Sequence, residues 1–97
     1  MTPETRQLLT LMVAASGESA DSITGKERRR PLPAVRWLIG AELVSRGCSV
    51  NQAAHEIGLD HNTLRYGLDQ LQLMPHNKNW HMEQVIAAEF RRLIDSE

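Results

Sequence analysis

At 97 residues and 41% hydrophobic content, the chain suits one small domain with a modest core and is too apolar to stay disordered. The formal net charge of -1 argues against a surface that coats nucleic acid indiscriminately. One cysteine, Cys48, excludes an internal disulfide, and nothing points to an oxidising compartment.

The elements read as helices throughout. In TPETRQLLTLMVAAS, Thr2 can cap and Pro3 fits a first turn. Leu8, Leu9, Met12 and Val13 then make an apolar stripe with Leu11 beside it, and Gly17 ends the helix. SADSI has room for one helical turn before Gly25. Lys26 to Pro33 reads as a loop, with a charge run and two prolines. Pro33 suits the first position of the helix AVRWLIGAELVSRG, where Val35, Leu38, Ile39 and Leu43 repeat at helical spacing. Gly40 inside it marks either close helix packing or a merely tolerated glycine.

SVNQAAHEIG opens with Ser49 and Gln52 at capping-box spacing. Val50, Ala53, Ala54 and Ile57 face inward over about two turns, and Gly58 stops the helix. LDHNTLRYGLDQLQL follows, with Asp60 placed to accept from the backbone amide near Thr63. Its buried face is Leu64, Leu68 and Leu71, and Pro75 closes it. PHNKN is a loop. HMEQVIAAEFRRLI is the last helix, with Val85, Ile86, Phe90, Leu93 and Ile94 as its apolar face. The expected fold is all-α, a single helical domain over residues 1–97. The short helix, glycine turn and polar-started helix form a helix-turn-helix pattern.

The net charge hides an asymmetry. Residues 26–36 carry five basic side chains and one acid, while both flanking stretches are net negative. A charge run is most often a solvated face. Here the run Arg28, Arg29, Arg30 sits between prolines and a glycine, and such a loop can lay an arginine in a minor groove. Arg36, on the next helix, can meet a phosphate. In the helix-turn-helix pattern the opening residues of the second helix point into the major groove. His61, Asn62 and Thr63 offer groups to base edges, asparagine suits adenine, and Asp60 can accept from cytosine's amine. The competing reading is that Asp60 and Thr63 only cap the helix and His61 is solvated. Arg65 and Tyr66 lie further along, in reach of phosphate. Trp37 reads as packing and Trp80 as a lid on the core.

Other chemistries find little support. No nucleophile stands at a convincing spacing from the four histidines, and no glycine-rich phosphate loop is present. Cys48 reads as a small packed hydrophobe. His55 and His61, or His76 and His81, make only a weak metal motif. The expectation is a protein that is not an enzyme and has no metal or other cofactor. No apolar run approaches the roughly 20 residues of a membrane span, and MTPETRQLL lacks a signal peptide's apolar segment. A cytoplasmic, bacterial-type protein with no membrane contact is expected.

Three segments together, GKERRRPLPAVRWLI, SVNQAAHEIG and DHNT, resemble the C-terminal DNA-binding domain (domain IV) of the bacterial chromosomal replication initiator, DnaA. That domain is all-helical, belongs to the Trp-repressor-like helix-turn-helix group and reads a short box in duplex DNA. The resemblance covers nearly the whole chain. It implies that Arg28 and Arg30 engage minor groove and backbone, that Arg36 contacts backbone, and that Asp60, His61, Asn62 and Thr63 face bases. Asn62 stands where the family has the first threonine of Asp-His-Thr-Thr, and no arginine precedes Asp60. The initiator's ATP-binding part has no counterpart here.

The function expected is sequence-specific binding of double-stranded DNA, regulating transcription or replication initiation without ATPase activity. The alternative is a protein-protein interaction module that binds an initiator or another regulator. The N-terminal helix from Pro3 to Ser16 serves either core closure, slightly preferred, or pairing into a homodimer.

Overall fold

The computed structural model describes residues 1–97. It holds six α-helices and no strand: α1 (Pro3–Ser16), α2 (Ala20–Thr24), α3 (Leu32–Ser45), α4 (Val50–Glu56), α5 (His61–Leu73) and α6 (His81–Asp95). Two 3-10 turns, Met74–His76 and Lys78–Trp80, join α5 to α6. No helix is long and apolar enough to cross a membrane.

Local chemistry sets most helix starts. The side chains of Thr2, Ser19 and Ser49 accept from the backbone amides of Thr5, Ser22 and Gln52. Each satisfies one of the amides that a helix start leaves without a partner. Ser49 and Gln52 complete the capping box. The Asp60 cap accepts from Asn62, one residue earlier than the sequence spacing suggested. Gly58 makes the turn between α4 and α5 with φ +73°, in the left-handed region where glycine has no Cβ to clash.

Helix α3 is the centre of the bundle. It packs against the five other helices, and Leu32, Ala34, Val35, Trp37, Ile39 and Leu43 are buried on it. A helix covered on most sides shows no single apolar stripe. That is why Arg36 and Glu42 are also buried on it, whereas Leu38, expected inside, is only partly covered. Helix α1 packs along α6. Leu8 and Met12 are fully buried in the same core as Ile86 and Phe90, so α1 closes the core.

Two glycines let α5 approach α3. A Cβ at Gly40 would lie 2.6 Å from a Leu64 methyl, and one at Gly67 would lie 2.2 Å from the Trp37 ring. Gly40 is thus a packing glycine, and Gly67 does the same work from the other helix. Trp37 is held further by Trp80, stacked at 6.0 Å between ring centroids, and by Tyr66, edge-on at 5.9 Å.

The junction after α5 differs from the expected open loop. Met74 is buried, and the Gln84 side-chain amide donates to the carbonyls of Met74 and Asn77. On α6 the inward register is Glu83, Ile86 and Phe90, while Val85 is 55% exposed. The apolar face expected to include Val85 is therefore rotated, because a buried carboxylate occupies the first inward position.

Candidate nucleic-acid interface

The helix-turn-helix segment presents the start of α5 to solvent. Asp60 Oδ1 accepts from the Asn62 amide at 2.8 Å, which turns the chain into the helix and leaves the first-turn side chains pointing outward. His61, Asn62 and Thr63 are all exposed. From there Asn62, Tyr66, Asp69 and Leu73 follow at spacings of three and four, and each is exposed. They form the outer face of α5, opposite buried Leu64.

A groove of about 420 Å³ runs between this helix start and the basic loop. Lys26 and Arg28 line one side and Asp60, Thr63 and Tyr66 the other, with Arg36 and Trp37 also at its walls. Four of the seven residues expected to contact DNA thus share one concavity: Arg28, Arg36, Asp60 and Thr63. His61 and Asn62 stand outside it on the exposed first turn. Arg28 and Lys26 have no carboxylate partner, since every ion pair in the loop belongs to Arg29 or Arg30.

The remaining arginines of the segment are engaged internally. Arg36 is buried, and its Nε and Nη2 donate to the carbonyls of Ile23 and Ser22 at 2.7 and 2.9 Å. It caps the C-terminal end of α2, where carbonyls lack helical partners. Burial pushes its pKa down from the usual arginine range, and the guanidinium still carries its charge. Arg29 forks onto Glu18 and also donates to Glu27. Arg30 turns away from the groove: Nε and Nη2 donate to the two oxygens of Glu83 at 2.8 and 2.7 Å. Nη2 also donates to the Asn79 carbonyl at 2.7 Å. Hydrogen bonding from Arg30 holds the Glu83 carboxyl below its usual range, against the effect of burial.

Arg30 and Arg36, expected at the DNA, are therefore joined to protein groups. Lys26, which the sequence did not single out, stands free beside Arg28. Its one signal in the sequence is its place as a cation directly after Gly25. Arg65 is exposed and lacks an ion pair. It lies one residue past Leu64, on the flank of α5 away from Thr63, so free cations stand on both sides of the outer face.

No group of three His, Cys, Asp or Glu side chains is arranged to hold a metal ion. Compared with family models, with curated proteins and with solved structures, the chain finds no match.

Proposed function

We propose that the protein is a sequence-specific reader of double-stranded DNA that regulates transcription or replication initiation, with a fold of the DnaA domain IV and Trp-repressor-like type. The observation that carries this reading is the groove that sets two unpaired cations, Lys26 and Arg28, across from the exposed first turn of α5. A helix start in the major groove needs polar side chains free to bond base edges, and His61, Asn62 and Thr63 are free. A loop beside it needs cations free for the adjacent backbone or minor groove, and Lys26 and Arg28 meet that need. Asp60 combines its capping role with an oxygen near the same base edges. The acid at Asp69 limits close approach of phosphate to the first turns of α5. The reading carries no ATPase activity, because the chain has no phosphate-binding loop.

The free cations on this face are Lys26, Arg28 and Arg65. A three-phosphate footprint gives log K a slope of about -3 against log salt. The test is fluorescence anisotropy with two labelled duplexes, one carrying a DnaA box and one scrambled, at three salt concentrations. Preference for the box with that slope supports the proposal. Equal salt-sensitive binding to both means a reader of another sequence, and no binding at low salt refutes it.

One observation favours a second reading. Tyr66 and Leu73 on α5, 58% and 60% exposed, and Met82 and Val85 on α6 leave large apolar side chains in solvent. A protein-interaction module that docks an initiator or other regulator uses such residues. Its binding is insensitive to salt where DNA binding is not.

A further inference from the structure

Glu83 occupies a position that the α6 register assigns to an apolar side chain. Ile86 and Phe90 follow it at spacings of three and four, and all three are buried, Glu83 at 3% exposure. A carboxylate there is costly unless it is paired and hydrogen-bonded. Both of its oxygens are occupied by one guanidinium, that of Arg30, in the forked geometry that suits arginine and carboxylate. Arg30 itself is 57% exposed, so for stability alone an apolar pair here avoids the cost of burying Glu83. What an apolar pair cannot do is hold the exposed basic loop at a fixed point on α6. Arg30 lies two and four residues after Arg28 and Lys26, and on the same short loop Arg29 is tied in the other direction, to Glu18. The two ties hold the C-terminal end of the loop between α6 and the α1–α2 link.

We propose that Glu83 is a positioning residue for DNA reading: it holds Arg30 as a strut, so that Lys26 and Arg28 face the start of α5, and Arg30 itself makes no DNA contact. This rests on the DNA-reading function proposed above. The competing arrangement is that Glu83 holds back an arginine that would otherwise grip phosphate. The two arrangements predict opposite signs. Freeing a strut weakens binding, because the loop must be ordered when DNA arrives. Freeing a withheld cation strengthens binding and adds to the salt slope.

The experiment uses the full chain with Glu83→Gln, Arg30→Gln and the charge swap Arg30→Glu with Glu83→Arg, each checked for helix content by circular dichroism. Duplex affinity is measured across salt concentrations. The expected result is that both single variants bind about tenfold more weakly, with the wild-type salt slope, and that the swap recovers most of the loss. Tighter binding with a steeper slope in Glu83→Gln overturns the proposal, as does unchanged binding. A slope reduced by about one in Arg30→Gln makes Arg30 a phosphate contact and also overturns it. Should the swap variant fail to fold, trypsin cleavage after Lys26 and Arg28 serves as the second measure: faster cleavage in Glu83→Gln supports the strut, and unchanged cleavage refutes it. If the wild-type protein binds no duplex at all, the DNA reading fails by itself, and the same cleavage assay decides the strut alone.

Discussion

The basic loop and the C-terminal half of α6 both carry adjacent arginines, and they use them differently. On α6, Arg91 bonds Glu42 and lies near Asp95, while Arg92 pairs with Glu89. Every cation there is matched by an acid, and Glu42, itself buried, collects Arg46 as well. In the loop, Arg29 and Arg30 are matched in the same manner, but Lys26 and Arg28 are left over beside a groove. An arginine run is thus no measure of available positive charge. What matters is which members lack a partner, and in this loop the free ones, Lys26 and Arg28, lie where α5 begins.

The sharpest way to break the comparison is to unload the saturated region. Glu42→Ala removes the carboxylate that joins α3 to α6. It should lower unfolding free energy by about 1–3 kcal/mol, less than a fully buried pair would lose because Arg91 is over half exposed and returns to water. Urea denaturation measures this, and duplex affinity of the folded protein should stay at the wild-type value. A large loss of DNA binding would mean that α6 arginines belong to the interface.

Asn62→Ala tests the open region, where base contact is proposed. Discrimination between the preferred duplex and a scrambled one should fall by about 1–3 kcal/mol. Binding to the scrambled duplex should stay unchanged, as competition anisotropy would show. Arg28→Ala should weaken binding to all duplexes by about tenfold and reduce the magnitude of the salt slope by about one. Its melting temperature should stay near wild type, since the side chain has no internal partner. Loss of stability would place Arg28 with the struts instead.

The smallest effect concerns a third region, the α1–α4 junction. Glu56 accepts from the Thr2 amide and the Thr5 hydroxyl, which pull its pKa from 4.5 down to about 2. Because the folded value lies below the unfolded one, this contribution is complete above pH 4.5 and is lost as pH falls towards 2. The urea midpoint should decline through that window, and more gently in Glu56→Gln. An identical acid profile in the variant would show that the Glu56 bonds contribute nothing to folding.

Much of the architecture was legible because its causes are local. Thr2, Ser49 and Asp60 cap helices through amides two or three residues away, and Gly17 and Gly58 take the left-handed turns that end α1 and follow α4. The helix-turn-helix arrangement follows from those stops and from two apolar sets at helical spacing, Val50, Ala53, Ala54 and Ile57, then Leu64, Leu68 and Leu71. The exposed polar first turn of α5 followed too, because a cap oxygen directs the chain and leaves the next side chains outside. The sequence by itself determined where the capped helices α1, α2, α4 and α5 start, and which short run opens α5.

Only the tertiary structure decided which charges are free. Arg29 meets Glu18 eleven residues away, Arg36 meets Ile23 thirteen away, and Arg30 meets Glu83 fifty-three away. No helical or turn spacing encodes such pairs. They depend on how α1, α2 and α6 settle around α3, and that packing is fixed by the whole core together. The same reason hid the inward turn of Glu83, the exposure of Val85 and the close approach at Gly67. Local hydrogen bonding reaches about four residues along a helix, whereas the partner of a buried charge is chosen by the fold as a unit.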